Sequence, residues 1–563
     1  MTHPPVTPCA DLDTEVLVVG AGPCGLMMAI ELARRGVRCL VVDRKPSTAF
    51  NPQANATQAR TMEHFRRLGL AERIRAQGLP GDHPTDVAYL TRFAGHELAR
   101  LRLPTSVQAR SLIRTLSGSW SAAELPHRVS QKFVEAALRE HADTLGAADI
   151  SFGWELRSFA DTGEEVRATI APVGAGPEQV QHVRAAYLLG ADGARSAVRA
   201  QLDIGWEGAT GLRRNFMGGR MLAVYLRAPD FHRLNPNDRA WMYVQVHPRM
   251  RTFLLSVDGV DEFAFHAQLP DGVDPDSLGP AQAREFFAQA SGLDIPVEIL
   301  STSTWLAGHA LVARAFRRGR VFLGGDAAHL FTPTGGLGYN TAVEDAVNLA
   351  WKLHAVLRGQ GGPALLDSYE AERQALARRN TGYARQFADS IGLFDAVPEL
   401  DEDGPAGEQA RAQAGAYLDG HARREFNIPG VTFGGRYDGS PVIVPDGSAP
   451  PPDEANTYVP SACPGGRPPH AWLEDGRSLY DTFGLHWTLL RLGASPAEVS
   501  RFVQEARALG LELEVVTLAS PALGQLYEAP LALIRPDHIV AWRGSDDAHA
   551  AQVLRRASGR AVP

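Results

Sequence analysis

Three glycines and one aspartate near the start of the chain have the spacing of a dinucleotide-binding turn. Gly20, Gly22 and Gly25 follow the apolar run Val16–Val19, and Asp43 stands 23 positions beyond Gly20, after a second apolar run. Glycines in this pattern allow a tight turn and let a pyrophosphate approach the amides of a helix N-terminus. A carboxylate at the second strand end accepts hydrogen bonds from an adenosine ribose and repels a 2′-phosphate. The pattern therefore favours FAD or NAD over NADP, and an ordinary glycine turn of an α/β domain is the alternative.

A second acidic group, Asp326, follows an apolar run far along the chain. Val321–Leu323 predicts a buried strand that ends in a Gly-Asp pair, and the sequence TPTGGLGYN occupies residues 332–340. Thr341 and Glu344 form a capping-box pattern and predict that a helix begins there. A glycine-rich loop leading into a helix presents free amides and the positive end of the helix dipole. Such a site stabilises negative charge on a reduced isoalloxazine ring. A surface loop with a solvated aspartate is the alternative.

The elements that must position these residues predict an α/β protein. The first apolar run, a helix over Leu26–Arg35 and a strand over Val37–Val42 form a βαβ unit. From Met217 to Leu269, short β-rich runs separated by turn residues indicate an inserted antiparallel sheet. The α/β pattern then returns, with a long helix expected from about Thr341 to Leu357 and another over 373–394. After a Pro- and Gly-rich stretch, short apolar runs and a helix over 496–509 indicate a small C-terminal α/β domain.

Composition excludes several other classes of protein. The chain has 563 residues, of which 44% are hydrophobic and 21% charged, which suffices for large buried cores. A net charge of −8 argues against nucleic-acid binding through a basic surface. Four cysteines without a C-x-x-C pair indicate neither a disulfide scaffold nor a metal site. No secretory signal is visible, and no apolar stretch reaches the ~20 residues of a membrane span. We therefore expect a cytoplasmic protein with no nucleic-acid or membrane partner.

Three motifs occur in an order that is typical of one enzyme family. They are GAGPCG at 20–25, GADGARSAVR at 190–199 and GDAAHLFTPTGGLGYNTAVEDAVNLAWKL at 325–353. The chain resembles the class A FAD-dependent aromatic monooxygenases, the p-hydroxybenzoate hydroxylase-like group. Within that group it is most similar to the branch of phenol hydroxylases, 2-hydroxybiphenyl monooxygenases and polyketide hydroxylases. The resemblance covers nearly the whole chain. It implies a Rossmann-like FAD-binding domain, an inserted antiparallel-sheet substrate domain and a thioredoxin-like C-terminal domain.

The resemblance also implies which residues hold FAD. The first turn and Asp43 hold the ADP half, Asp326 binds ribitol hydroxyls, and the backbone of 338–340 faces the pyrimidine end. Gln53 stands where many members have an arginine at the pyrophosphate, so that it can hydrogen-bond but carries no charge. The predicted FAD-binding residues are Gly20, Gly22, Pro23, Gly25, Asp43, Arg44, Gln53, Gln131, Leu156, Asp192, Gly193, Asp326, Gly338, Tyr339 and Asn340.

The implied substrate site departs from the family at one position. Phenol-hydroxylating members place a His or Asp where this chain has Asn55, and an amide cannot act as a general base. Pro333 flanks the flavin and the substrate. Since Asn55 cannot take the proton of a phenol, either another side chain does so or the natural substrate is already acidic through a nitro, halogen, acyl or quinone-like substituent. The candidates for that side chain are Tyr243 and His247, which alternation places on one face of a predicted strand. Ordinary sheet packing is the alternative for each. The catalytic candidates are thus Asn55, Tyr243, His247 and Pro333.

The same pattern divides the chain into predicted domains. The first part of the FAD-binding domain spans 1–185, with a substrate-domain segment at about 85–125, and its Asp-Gly segment spans 186–200. The substrate-domain sheet spans 201–310, and the Gly-Asp motif with its helices spans 311–395. A linker and helical connection occupies 396–468, and the thioredoxin-like domain spans 469–563.

The implied function is that of a flavoprotein monooxygenase. It hydroxylates a phenolic or polyketide-like aromatic substrate ortho or para to a hydroxyl, with NADPH or NADH and O2, through a flavin C4a-hydroperoxide. One alternative is epoxidation or Baeyer–Villiger oxygenation of a polyketide on the same scaffold. An alternative of another class is a non-oxygenating flavin reductase. The expected partners are the aromatic substrate, O2 and NAD(P)H, and a homodimer is left open.

Overall fold

The computed structural model describes residues 12–211, 216, 218–270, 272–273, 278–493 and 497–561. The predicted element boundaries at 217 and 496 lie outside these residues. The strands are β1 (Leu12–Val19), β2 (Cys39–Asp43), β3 (Val87–Leu90), β4 (Glu97–Leu101), β5 (Ala148–Phe152), β6 (Trp154–Asp161), β7 (Val166–Pro172), β8 (Gln181–Gly190), β9 (Trp206–Ala209), β10 (Gly219–Arg227), β11 (Met242–His247), β12 (Met250–Ser256), β13 (Glu262–Gln268), β14 (Glu298–Ala307), β15 (Ala310–Ala313), β16 (Arg317–Arg318), β17 (Val321–Leu323), β18 (His329–Leu330), β19 (Trp487–Leu492), β20 (Leu513–Leu518), β21 (Leu531–Ile534) and β22 (Val540–Gly544). The α-helices are α1 (Pro23–Ala33), α2 (Ala59–Arg67), α3 (Ala71–Arg75), α4 (Ser106–Leu112), α5 (Gln131–Asp143), α6 (Ala197–Gln201), α7 (Phe231–Leu234), α8 (Pro280–Ser291), α9 (Leu337–Leu357), α10 (Pro363–Gly392), α11 (Pro405–Phe426), α12 (Pro429–Phe433), α13 (Ser500–Ala508), α14 (Pro521–Tyr527) and α15 (Ala550–Ala557).

The first sheet is built on parallel strands. Its order is β16-β17-β8-β1-β2-β5, and the β6–β7 hairpin joins it along β8. β1 pairs in parallel with both β2 and β8, and β17 pairs in parallel with β8. The apolar run Val16–Val19 is buried because helices cover both faces of such a sheet. α1 packs against α5 and α9. This arrangement confirms the α/β fold class.

A second sheet is almost entirely antiparallel. Its order is β14-β10-β13-β12-β11-β3-β4, and only β11 and β3 are parallel neighbours. One face packs against α8, with Phe287 in the core between them. The opposite face packs against α10 and α11 and includes Ala56 of the first segment. This second face is therefore the one that meets the rest of the molecule.

The C-terminal sheet shares a core with the long helices. Its order is β20-β19-β21-β22, with β19 and β20 parallel. The rings of Trp351 in α9 and Trp487 in β19 meet edge to face at 5.5 Å, and Leu365 of α10 joins the same cluster. The C-terminal sheet thus covers apolar surface on α9 and α10.

The helix that follows the glycine-rich loop starts earlier than predicted. α9 begins at Leu337, because Gly336 takes a left-handed conformation (φ 64°) and caps it. Thr341 is buried one turn inside the helix, where its hydroxyl accepts a hydrogen bond from Asn380. The capping-box prediction was therefore wrong, since the glycine conformation and not the Thr–Glu pair ends the loop. α10 also begins ten positions before the predicted 373, at Pro363.

Candidate active site

Parallel strands of the first sheet end at one edge and bring the predicted motifs together. Val19, Gly190 and Leu323, the last residues of β1, β8 and β17, are register partners across the sheet. Val19 also pairs with Val42 of β2. Ligands of open α/β sheets bind outside the carboxyl ends of the strands. The motif residues that follow these strands therefore surround one cleft: Gly20, Asp43, Asp192 and Asp326.

Each glycine of the first turn has its own steric reason. A side chain on Gly20, where φ is 109°, would overlap the carbonyl of Ala191, and one on Gly25 would overlap the carbonyl of Gly20. By contrast, no protein atom lies within 4 Å of a β-carbon placed on Gly22. Gly22 caps α1 without a side-chain hydrogen bond, and Pro23 occupies the first turn. Open space in front of free helix amides fits a pyrophosphate.

The Asp43 carboxylate is held in place by backbone amides. Its Oδ2 accepts a hydrogen bond from the amide of Ala21 at 2.7 Å, and its Oδ1 accepts one from the amide of Lys45 at 2.8 Å. Each carboxylate oxygen can accept a further hydrogen bond, so the group remains able to receive ribose hydroxyls. The neighbouring Arg44 is exposed. Asp43 is thus oriented before any ligand binds.

Asp192 accepts hydrogen bonds from the first turn of the short helix after β8. Its Oδ2 accepts hydrogen bonds from the amides of Ala197 at 2.7 Å and Val198 at 3.1 Å. Burial raises the pKa of this carboxyl, and the hydrogen bonds only partly offset that effect. Gly193 follows with φ at 82°, a conformation that favours glycine. The Asp-Gly pair therefore shapes the turn at this strand end.

Asp326 projects into the cleft with no hydrogen-bond partner among the described residues. Its side chain is exposed within the cleft, yet the surrounding protein withdraws it from bulk water and raises its pKa. The charges of His329 and Lys45 oppose that rise. The turn itself is held from behind, because the amide of Gly325 donates to Asp345 at 3.0 Å. The Asp326 carboxylate is thus free to accept hydrogen bonds from ligand hydroxyls.

Asp345 is a site residue that sequence reasoning missed. Its carboxylate lies 2.6 Å from Nε2 of His329 and accepts a hydrogen bond from Nε of Arg373 at 2.7 Å, and all three side chains are fully buried. Burial would raise the pKa of Asp345, but His329 and Arg373 together hold it below its usual value. Asp345 and Arg373 lie on α9 and α10, so no local spacing indicates that they meet.

The side chain of Asn340 braces two loops. Its Oδ1 accepts a hydrogen bond from the amide of Gln58 at 2.8 Å, and its Nδ2 donates to the carbonyls of Ala56 at 2.9 Å and Gly336 at 2.6 Å. Nε2 of Gln58 in turn donates to the carbonyl of Gly335 at 2.7 Å. The side chain of Asn340 is therefore used within the protein, and only its backbone remains for a cofactor.

The braced loop carries Pro333 on its exposed side. Gly338 and Tyr339 lie in the first turn of α9, which has no side-chain cap and no acidic residue. The Tyr339 hydroxyl lies 3.4 Å from that of Thr57, and burial raises its pKa. Uncapped amides and the positive end of the helix dipole favour negative charge beside this loop.

Asn55 is buried, and its side chain has no partner among the residues that the structure describes. The residue is 6% exposed, and neither Oδ1 nor Nδ2 forms a hydrogen bond with that part of the chain. The next residue back, Ala54, accepts a hydrogen bond from the amide of Gln131 at 2.7 Å, and Nε2 of Gln131 donates to Glu135 at 2.6 Å. Gln53 is exposed. A buried amide left without partners is costly, and Asn55 is therefore a candidate for binding a ligand.

Tyr243 and His247 have partners other than Asn55 in the structure. The ring of Tyr243 packs edge-on against Phe93, and its hydroxyl accepts a hydrogen bond from the amide of Ala240 at 2.8 Å. His247 ends β11 and lies 3.0 Å from Asp401. Tyr243 therefore belongs to the packing beneath α8, His247 is engaged by Asp401, and the role of either residue in deprotonating the substrate stays a prediction.

The face of the second sheet that meets the cleft carries the residues that alternate with Tyr243 along β11. Val244 and Val246 join Trp241 and Ala56 in one cluster, whereas Tyr243 lies in the cluster beneath α8. Alternation along a strand sends neighbours to opposite faces, and only the tertiary structure shows which face is inward.

Leu156, which was expected to contact FAD, is 8% exposed and packs in the core of the first sheet.

The cleft fits a dinucleotide cofactor, because it offers an open space beside Gly22, a pre-oriented Asp43 and an unpaired Asp326. Comparison with known protein families identifies the protein as an FAD-binding protein. Residues 13–384 match the family described as FAD binding domain, and residues 461–562 match the aromatic-ring hydroxylase C-terminal domain. The chain belongs to this family of aromatic-ring hydroxylases. It is an FAD-dependent monooxygenase that hydroxylates aromatic substrates.

Relatives along the whole chain agree with this assignment. The chain is 34% identical to aklavinone 12-hydroxylase RdmE of Streptomyces purpurascens, over 97% of this chain and 98% of the relative. It is 32% identical to 2,4-dichlorophenol 6-monooxygenase of Delftia acidovorans, over 94% and 95%. The solved structure of the rebeccamycin biosynthetic enzyme RebC with reduced flavin matches with a TM-score of 0.87 and 34% identity, over 98% and 100%. These relatives do not favour the other oxygenations or the reductase.

No helix among the described residues combines the length and apolar character that a membrane crossing requires.

Asp326→Ala is expected to weaken FAD binding by about 10- to 100-fold, because a charged hydrogen-bond acceptor is lost from the cleft. The flavin content of the purified protein and titration of the apoprotein with FAD measure the effect. Asp367→Ala serves as the control, since Asp367 is exposed and pairs with Arg317. Wild-type affinity in Asp326→Ala would contradict the assignment.

Proposed function

We propose that the protein hydroxylates a phenolic or polyketide-like aromatic compound ortho or para to a hydroxyl group. NADPH or NADH supplies the electrons, and O2 supplies the oxygen atom. The observation that carries the proposal is the unpartnered amide of Asn55, buried beside the loop that bears Pro333. When bound, FAD supplies the activated oxygen that is transferred to the ring.

The chain's own residues orient the reacting groups. Nδ2 of Asn55 donates a hydrogen bond to the phenolate oxygen of the substrate. The contacts of Asn340 and Gln58 hold the Pro333 loop at a fixed distance from the segment that carries Asn55. The uncapped N-terminus of α9 stabilises negative charge on the cofactor side.

The proton of the substrate hydroxyl is the chemical difficulty at this site. Attack on the ring needs electron release from a phenolate, and an ordinary phenol has a pKa near ~10. Ionising it at neutral pH costs about 4 kcal/mol. Asn55 cannot take the proton, and the side chains of Tyr243 and His247 are engaged by the amide of Ala240 and by Asp401. We infer that the natural substrate is already acidic, through a nitro, halogen, acyl or quinone-like substituent.

The coupling efficiency should therefore depend on the acidity of the substrate. It is measured as product formed per NAD(P)H consumed, across phenols of similar size and falling pKa. The wild type is expected to couple best with the acidic phenols. Asn55→His is expected to gain about tenfold on phenols of pKa near ~10, because a histidine can act as the general base.

Gln504→His is the matched control for this experiment. It introduces the same side chain at an exposed position of α13, outside the predicted FAD and substrate sites, and should leave the profile unchanged. A wild-type profile that is flat in substrate pKa, or no gain from Asn55→His, would show that Asn55 is not at the site of the phenol oxygen. Measuring both cofactors separately decides between NADPH and NADH.

A further inference from the structure

Arg128 is a buried cation that rests on aromatic rings. Its side chain lies just before α5, and the residue is 7% exposed. The guanidinium carbon lies 4.4 Å from the centre of the Trp241 ring and 5.9 Å from that of Phe426. The rings stabilise the charge through their π faces but accept none of the in-plane N–H groups as a carboxylate would.

No acceptor for the Arg128 guanidinium exists among the described residues. Its nitrogens take part in no hydrogen bond or ion pair, and they are not among the polar atoms that are sealed from solvent without a partner. At least part of the guanidinium therefore borders a space that is accessible to solvent. Three other buried guanidinium groups are paired with carboxylates: Arg373 with Asp345, Arg467 with Glu63, and Arg535 with Glu372 and Asp537.

The position of Arg128 places that space at the candidate active site. Residues 127–131 run antiparallel to 54–57, joined by the Thr57–His127 pair and by the Gln131–Ala54 hydrogen bond. Arg128 consequently lies next to Ala56, which packs on the inner face of the second sheet together with Trp241. The same Ala56 carbonyl receives the hydrogen bond from Asn340 that braces the Pro333 loop.

The charge of Glu425 acts on Arg128 but does not satisfy it. Burial lowers the pKa of Arg128 to about 10, and the negative charge of Glu425 offsets that effect only in part. The carboxylate of Glu425 is already engaged, because it accepts the amide of Gly335 at 3.0 Å and lies 2.9 Å from Nε2 of His421. At neutral pH Arg128 is thus a protonated, directed donor that lacks an acceptor.

We propose that Arg128 recognises a carboxylate carried by the aromatic substrate. The planar guanidinium fork matches a carboxylate with two parallel hydrogen bonds, and the rings of Trp241 and Phe426 hold the fork in position. The assignment rests on the proposed function, because it requires an aromatic ring to lie between the second sheet and the Pro333 loop. It narrows the substrate class to aromatic acids.

Binding of a matched pair of ligands to the FAD-loaded enzyme tests the assignment. Anthraquinone-2-carboxylate and anthraquinone-2-carboxamide have the same rings and differ in one charge, and perturbation of the flavin spectrum reports the Kd of each. The wild type is expected to bind the carboxylate at least about tenfold more tightly. Arg128→Met should bind both equally and keep the wild-type Kd for the carboxamide.

Two further variants keep the test decisive. Arg128→Gln removes the charge but keeps a polar side chain, and it should lose the preference in the same way if Arg128→Met does not fold. Arg102→Met removes a largely exposed arginine of the same chain and should retain the full preference, so that net charge alone is excluded. Flavin content and circular dichroism establish that each variant is folded.

Each outcome has a separate meaning. Equal wild-type affinities for the two ligands, or a preference that survives in Arg128→Met or Arg128→Gln, would overturn the assignment of Arg128 and leave the proposed function standing. If the FAD-loaded wild type binds neither ligand, the aromatic site itself is wrong, and the assignment of Arg128 is overturned with it.

Discussion

Replacing Gly22 by valine is expected to leave the chain folded and to weaken FAD binding by roughly a hundredfold, or about 3 kcal/mol. Gly22 has φ −78° and ψ −173°, which other residues also adopt, and a β-carbon there meets no protein atom within 4 Å. The valine side chain would instead fill the space in front of the α1 amides that the pyrophosphate needs. Titration of the apoprotein with FAD measures the loss.

Gly146→Val is the matched control, because Gly146 is exposed and its β-carbon also meets no atom within 4 Å. It should bind FAD like the wild type. Gly25→Ala is not a clean test, since its β-carbon would overlap the carbonyl of Gly20 and disturb the fold. An FAD affinity of Gly22→Val equal to that of Gly146→Val would refute the placement of the pyrophosphate.

Arg535→Met is expected to lower the stability of the whole molecule by about 3–5 kcal/mol. Arg535 is fully buried and contacts Glu372 and Asp537, each at 2.6 Å, and Lys352 donates to the same Glu372 at 2.6 Å. The four charges balance, and removing Arg535 leaves a buried negative charge uncompensated. The network joins α9 and α10 to the C-terminal sheet, so its loss should be visible in thermal unfolding.

Two comparisons make this prediction specific. Arg317→Met, at a partly exposed pair with Asp367, should change the melting temperature little, since surface pairs contribute at most about 1 kcal/mol. The double variant Arg535→Met/Glu372→Gln restores neutrality and should be more stable than Arg535→Met alone. Equal melting temperatures for Arg535→Met and Arg317→Met would show that the buried network does not stabilise the protein.

The features that could be read from the sequence are those whose cause is local. Continuous apolar runs marked the parallel strands, and the glycine spacing marked the first turn, because burial on both faces and close backbone approach each demand particular residue types at adjacent positions. The start of α9 was missed although its signal is local. A Thr–Glu pair inside the helix resembles a cap, and the left-handed Gly336 decides the boundary.

The partners of the site residues could not be predicted in this way. Asp345 accepts hydrogen bonds both from the turn that carries Asp326 and from Arg373 on another helix. Glu425 likewise accepts a hydrogen bond from the amide of Gly335, which lies 90 positions away in the sequence. Such contacts depend on how helices and loops pack. For the same reason, alternation grouped Tyr243 with His247 but could not show that Tyr243 packs beneath α8, in a cluster separate from that of Ala56.

By itself the sequence determined the α/β class, the FAD-binding turn and the acids Asp43 and Asp326 that follow two apolar strands. Parallel strands must end at a common edge, so motifs far apart in sequence meet there once the sheet forms. Only the tertiary structure decided which polar groups are left without partners. Nothing in the sequence distinguishes Asn55 or Arg128 from other polar residues, because burial without a hydrogen-bond partner is a property of the packed surroundings. That burial is the reason why we expect these two residues to meet the substrate.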